Sequence, residues 1–202
     1  MMYQEGAGSF YSRHELDEFG FAKIGSNVLI SRKASIYNPE FIELSDNVRV
    51  DDFCCLSGRI SLKRHTHVTA YCLLAGGEKG LFVGEFCTFA YRVSIFTQSD
   101  DYFGNSMVNS TIPPSFKMEK KASVCVLDHV IIGAGSIVLP GLLVAEGTSV
   151  GAHSLLTKST EPWGIYYGAP AVRKKNRSRE ILNVTHQFLQ SAPQQSPDQQ
   201  SS

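Results

Sequence analysis

From Val126 to Leu156 the chain reads VLDHVIIGAGSIVLPGLLVAEGTSVGAHSLL, with Val126, Ile132, Val138, Val144, Val150 and Leu156 six residues apart. Neither an α-helix, with 3.6 residues per turn, nor a lone strand, with its alternation of two, repeats at six. Each hexad carries an aliphatic residue at the repeating position. Ser136, Thr148 and Ser154 stand four places after an aliphatic, and Gly133 and Gly151 follow one directly. A large inward side chain, a small residue near a corner and a turn-permissive neighbour describe one flat side of a triangular coil. Three sides close a rung of about 18 residues, and rungs stack about 4.8 Å apart through parallel backbone hydrogen bonds.

The period extends upstream through Val83, Phe89 and Ile95, then Leu44, Val50, Leu56, Leu62, Val68 and Leu74, then Ile24, Ile30, Ile36 and Ile42. Short slips separate the runs. Ala34, Cys54, Thr66, Cys72 and Cys87 continue the small position, so packing accounts for Cys54, Cys72 and Cys87, while Cys55 and Cys125 give no signal. Together the hexads imply roughly six rungs, a prism about 30 Å tall. A doubly wound α/β fold would need helical patterns of roughly 10–15 residues between strands, and none is present.

The departures are informative too. Residues 97–123 form a long insertion rich in Ser, Asn, Pro and Lys, and insertions of that length are functional or disordered. A shorter one lies near Ala75 to Gly80. Ser12-Arg13-His14-Glu15 matches a capping box, so residues 1–23 are a capping segment with a short helix to about Phe19. The coil spans 24–172. Ile181, Leu182, Thr185, Phe188 and Leu189 at helical spacing imply a C-terminal helix, 173–190, shielding the last sheet edge. Residues 191–202, nearly all Gln, Ser and Pro, read as a disordered tail.

In this chain of 202 residues, 19 Lys+Arg balance 19 Asp+Glu, which argues against a nucleic-acid partner. No apolar run is long enough for a membrane span. No signal peptide is visible, and five cysteines without CxxC spacing imply cytoplasmic thiols.

A base with a pKa near neutrality suits acyl transfer to a hydroxyl, which draws attention to six histidines. His14 and His186 fall on the terminal helices. His65, His129 and His153 fall near corners, where an exposed polar residue needs no function. His67 precedes the inward Val68, so it points outward, where a neighbouring subunit or a substrate could meet it; simple exposure is the alternative. Asp100 and Asp101, at the mouth of the insertion, could orient an imidazole, hold sugar hydroxyls or take a proton, or be turn residues. Arg173, Lys174, Lys175, Arg177 and Arg179 form a compact basic cluster, better suited to a phosphate than to a nucleic acid. A solvated helix start is its bland reading.

With VIIGAGSIVLPG from Val130 to Gly141, Val150-Gly151-Ala152, Thr157-Lys158 and Gly168-Ala169-Pro170-Ala171 in view, the chain resembles the hexapeptide-repeat acyltransferases, in particular the sugar O- and N-acetyltransferases of surface-polysaccharide synthesis, O-antigen and lipopolysaccharide included. The resemblance implies an all-β, left-handed parallel β-helix. It also implies a homotrimer that binds acetyl-CoA between subunits, needs no metal and acts on a sugar or nucleotide sugar in the cytoplasm. Ala134, Ala152, Thr157 and Lys175 would contact the CoA ester, with Arg173 and Lys174 beside them. The family's usual base is a His after a Thr leading into the long loop, but Thr97-Gln98-Ser99-Asp100 has Asp there. His67 is therefore taken as the base, since its segment, His-Val-Thr-Ala-Tyr-Cys before a Gly-Gly turn, resembles the polysaccharide branch; Asp100 or Asp101 would orient it or hold the sugar. Two alternatives are a non-catalytic scaffold and a carbonic-anhydrase-like zinc β-helix using His65, His67 and His129. Acceptor identity, nitrogen or oxygen acetylation, and acyl length are left open.

Overall fold

A computed structural model describes residues 9–191. The chain is a left-handed parallel β-helix of three faces and about seven turns. The hexad residues meet in register, one ladder per face. Ile24, Leu44, Leu62, Val83, Val126 and Val144 stack on face one. Face two stacks Ile30, Val50, Val68, Phe89, Ile132, Val150 and Tyr166. Face three stacks Ile36, Leu56, Leu74, Ile95, Val138 and Leu156. Tyr166 starts a seventh turn that the aliphatic count of about six rungs does not reach. Ile42 is the two-residue slip, buried in the same strand as Leu44.

The small residues are buried and answer a backbone need. Cys54, Cys72 and Cys87 point their thiols at the carbonyls of Thr69, Ala90 and Leu127, each at 3.1 Å. Thr66 and Ser136 donate to Gly84 and Gly151, each at 3.0 Å. Each caps a corner carbonyl that the parallel ladder leaves unpaired.

Two corners turn through a left-handed residue at the same place on successive rungs. At the first, between faces one and two, Asn27, Asn47, His65, Phe86, His129 and Gly147 all have φ between 54° and 66°. There His65, Phe86 and His129 form a stack, with centroids 4.8 and 5.3 Å apart. Gly147 follows, and the ring of Trp163 covers the space a Cβ would fill. His129 is buried rather than exposed. At the second corner, between faces two and three, Phe53, Tyr71, Arg92, Gly135 and His153 play the same part. The third corner is smoothed: Cys55–Leu62 and Leu73–Val83 run through it as continuous strands, which accounts for the shorter insertion near Gly76-Gly77.

Helix α1 (Arg13–Glu18) carries the expected reciprocal capping box. The C-terminal expectation needs correction. Val172–Asn176 is a strand, antiparallel to Gly164–Tyr167, and helix α2 spans Glu180–Ser191. The open edge of the last turn offers unpaired backbone groups, which an extended segment satisfies and a helix does not. Helix α2 instead runs down the first corner. Arg179 lies over Trp163 near the top, and Phe188 meets His65 and Phe86 edge-on lower down. Residues 1–8 of the capping segment, and the tail beyond Ser191, lie outside the described residues.

Candidate active site

His67 lies on face two, directed outward and half-buried, between Arg49 one rung below and Thr88 one rung above. Its Nε2 is 2.8 Å from Asp51 Oδ2, and Arg49 Nε donates to Asp51 Oδ1 at 2.7 Å. A carboxylate on one ring nitrogen fixes the tautomer and the ring plane, leaving the other nitrogen to accept a proton. The orienting carboxylate is therefore Asp51. Its signal in the sequence is positional, since Val50+1 and Val68−1 are outward neighbours on adjacent rungs.

Asp100 and Asp101 lie elsewhere. The insertion leaves the coil after face three, at the third corner, where Gln98–Ser99 pairs with Lys120–Lys121 to form the base of an arm. Asp101 commits its carboxylate to that arm, accepting the amides of Phe103, Asn105 and Ser106 at 2.8, 2.8 and 2.9 Å. These bonds, that from Phe103 foremost, hold its pKa below the usual carboxylate range. Asp100 accepts the Asn109 amide at 3.3 Å. Neither contacts His67 among the described residues.

The second corner forms a continuous edge. Two places after each inward residue of face two stand Asp52, Ala70, Tyr91, Ala134 and Ala152, one per rung. The upper end is shallow: Ala134 is half-buried, Ala152 is exposed, and the His153 ring lies against Gly135, 2.8 Å from where a Cβ would stand. The turn at Gly168 to Ala171 closes over Leu155 beside this edge. Thr157 is exposed on face three, away from it.

The basic cluster divides by location. Arg173 pairs with Tyr166 across the capping strands and its guanidinium donates to Asn176, while Lys174 lies over the Tyr167 ring. Lys174 and Lys175 are exposed at the top of face two. Arg177 turns inward and donates to the carbonyls of His129 and Gly147 at 2.6 and 3.1 Å, locking the first corner. His65 and His129 belong to that corner and His67 to face two, so the three do not converge on one metal position.

No family model matches the chain. The dTDP-4-amino-4,6-dideoxy-D-glucose acyltransferase of Escherichia coli is 36% identical over 181 residues, covering 88% of this chain and 94% of that one. AntD, an N-acyltransferase of Bacillus cereus solved with dTDP and 3-hydroxybutyryl-CoA, matches at a TM-score of 0.90 and 43% identity, over 91% and 98% of the two chains. A serine variant of AntD solved with dTDP-4-amino-4,6-dideoxyglucose and coenzyme A also matches at 0.90, with 44% identity over 91% and 99%. The chain is an acyltransferase and belongs to the hexapeptide-repeat, left-handed β-helix family of sugar acyltransferases.

Proposed function

We propose that this enzyme transfers the acyl group of a CoA thioester to the amino group of a dTDP-linked 4-amino-4,6-dideoxyhexose, a precursor for surface polysaccharide, O-antigen or lipopolysaccharide included. The observation that carries this reading is the likeness to AntD over nine-tenths of the chain, with dTDP and an acyl-CoA bound there. A cytoplasmic setting accords with five free cysteines. The donor is acetyl-CoA or a short hydroxyacyl-CoA.

The long arm of the donor lies along the shallow edge at Ala134 and Ala152, where small residues let backbone amides approach it. Its phosphates meet Lys174 and Lys175, with Arg173 beside them. Thr157 serves only if the ester bends onto face three. The sugar nitrogen attacks the thioester carbonyl, the C–N bond forms, the C–S bond breaks, and CoA leaves as the thiol. Backbone N–H groups stabilise the oxyanion. The proton from nitrogen passes to His67, held by Asp51, and from His67 to the departing sulfur. A neutral amine already attacks and loses its proton late, so this assistance is modest.

The enzyme works as a homotrimer. Within one chain the arm bearing Asp100 leaves from the third corner, whereas the Ala134–Ala152 edge is the second. An arm from a neighbouring subunit can bring Asp100 to that edge to hold the sugar. Tyr102 and Phe103, 91% and 93% exposed near the arm's tip, suit such a reach.

The test is thiol release from acetyl-CoA and 3-hydroxybutyryl-CoA, with dTDP-4-amino-4,6-dideoxyglucose and with galactoside or maltose as acceptors. Turnover confined to the amino sugar supports the proposal. Turnover confined to the hydroxyl acceptors overturns it in favour of O-acetylation.

A further inference from the structure

Face one carries an open groove of about 500 Å³, across the coil from the second-corner edge. It follows an outward column of four successive rungs, Glu43, Ser61, Phe82 and Cys125, about 14 Å long at about 4.8 Å per rung. The upper part of this column is apolar although it faces water. Phe82, Leu127 and, one rung above Cys125, Leu143 are 41%, 42% and 41% exposed. Gly80 leaves room for the Phe82 ring, which comes within 2.7 Å of where a Cβ would stand. The ring therefore lies back along its own strand and forms a wall of the groove. A contiguous apolar strip of this kind marks a binding surface, and its length suits an extended chain.

The polar end is one rung below Phe82. Arg59 and Lys63 stand two residues to either side of Ser61 on the same outer face. The Arg59 guanidinium is 5.8 Å from the Phe41 ring centroid, and among the described residues neither cation pairs with a carboxylate. Glu43, 3.5 Å from Ser61 Oγ, offsets one of the two charges. Asp128, at the upper end, is occupied by the Glu85 amide at 2.7 Å. The second rung thus keeps one net positive charge at the foot of an apolar strip. A single carboxylate on an acyl chain answers that arrangement. A phosphate dianion exceeds the charge, and a cationic amphiphile meets Arg59 and Lys63 head-on.

We infer that this groove binds a medium-chain carboxylate, with its head at Ser61 between Arg59 and Lys63 and its chain over Phe82 toward Leu127. The site is separate from the acyl-donor edge, because the second corner lies between faces two and three. Occupancy of the groove therefore does not compete with a CoA ester.

The test is calorimetric titration of wild type, Phe82→Ser and Arg59→Met with dodecanoate below its micellar concentration, with dodecyltrimethylammonium as the control. Iodoacetamide labelling of Cys125, which lines the groove, locates the bound chain, and Cys55 on face three serves as the internal reference. The expected result is one dodecanoate per chain, slower labelling of Cys125 and unchanged labelling of Cys55. Affinity weakens about tenfold in Phe82→Ser and severalfold in Arg59→Met, the latter loss shrinking with added salt. Acyl transfer and melting temperature stay at wild-type values in both variants. Absence of dodecanoate binding, equal binding of dodecyltrimethylammonium, or equal protection of both cysteines overturns the site. Displacement of dodecanoate by acetyl-CoA overturns it too, since the chain would then lie on the donor edge. A Phe82→Ser protein that sediments as a smaller assembly than wild type overturns it in favour of a contact between copies of the chain.

Discussion

His67 reaches down one rung to Asp51, with Nε2 2.8 Å from Oδ2, and Arg49 braces the other carboxylate oxygen. The pair sits on face two, next to the edge assigned to the acyl donor. If His67 takes the proton late, His67→Ala lowers kcat by less than about tenfold with an amino-sugar acceptor and by roughly 10²–10⁴-fold with a hydroxyl acceptor. Asp51→Asn, which keeps the shape but relaxes the tautomer, falls between wild type and His67→Ala. Steady-state kinetics at saturating acceptor measure both, and an unchanged rate in His67→Ala removes it from the mechanism.

The basic cluster divides into the exposed Lys174 and Lys175, proposed to meet the donor's phosphates, and the inward-facing Arg177, and substitution distinguishes them. Lys175→Met raises KM for acetyl-CoA about tenfold, leaves the melting temperature in place and leaves KM for dephospho-acetyl-CoA unchanged. Arg177→Met does the reverse. It removes charge-assisted bonds to the carbonyls of His129 and Gly147, a loss of about 2 kcal/mol or more, seen as a melting temperature lower by several degrees. An Arg177→Met protein of wild-type stability would show that the first corner does not depend on this lock.

Gly147 and Gly135 occupy equivalent left-handed corner positions, with φ of 66° and 69°, each under a ring. Alanine costs both about 1 kcal/mol or more through the backbone alone. At Gly147 the new methyl also overlaps Trp163, which is buried. At Gly135 it meets His153, which is exposed and free to move. Gly147→Ala is therefore the more destabilising. It also shifts the emission of Trp163, the chain's one tryptophan, to the red. Equal losses from the two variants would mean that backbone strain is the whole effect.

The coil was legible because its core is one-dimensional. Each inward aliphatic stacks on its counterpart a rung away, so a period of six survives in the sequence wherever the backbone keeps its length. Tyr166 escaped that reading because the last turn buries a ring whose hydroxyl accepts the Glu161 amide, not an aliphatic. The strand at Val172–Asn176 escaped because five consecutive exposed residues carry no alternation; an unpaired edge across the rung decides its form. The outward placement of His67 followed from its position before Val68. Its partner did not, because Asp51 is sixteen residues away in sequence and adjacent only through the closure of one turn. The basic cluster read as one patch, yet Arg177 is separated from Lys175 by the end of a strand and faces inward.

Thiol chemistry follows the inward positions. Cys87 is buried, its thiol directed at the Leu127 carbonyl, and burial pushes its pKa up to about 12. Iodoacetamide at pH 8 therefore labels Cys55 and Cys125, which are partly exposed, before Cys54, Cys72 or Cys87. Peptide mapping of the native protein reads this order, and early labelling of Cys87 would place it outside the packed core.

At the opposite end, Glu15 joins the capping box to the coil. It accepts Arg32 Nη2 at 2.6 and 2.7 Å and the Ser12 amide at 2.8 Å, and the Arg32 bond foremost lowers its pKa from 4.5 to about 2. A carboxyl with a depressed folded-state pKa stabilises the fold above its unfolded value and loses that contribution as pH falls through the folded one. Glu15→Gln keeps the capping geometry and removes the charge. The melting-temperature difference between wild type and Glu15→Gln should therefore be constant above about pH 5, shrink between pH 4.5 and 2, and vanish below that. The pair is exposed, so the difference is small and falls with added salt. A difference that persists undiminished at pH 2 would assign the effect to the shape of the side chain and not to its charge.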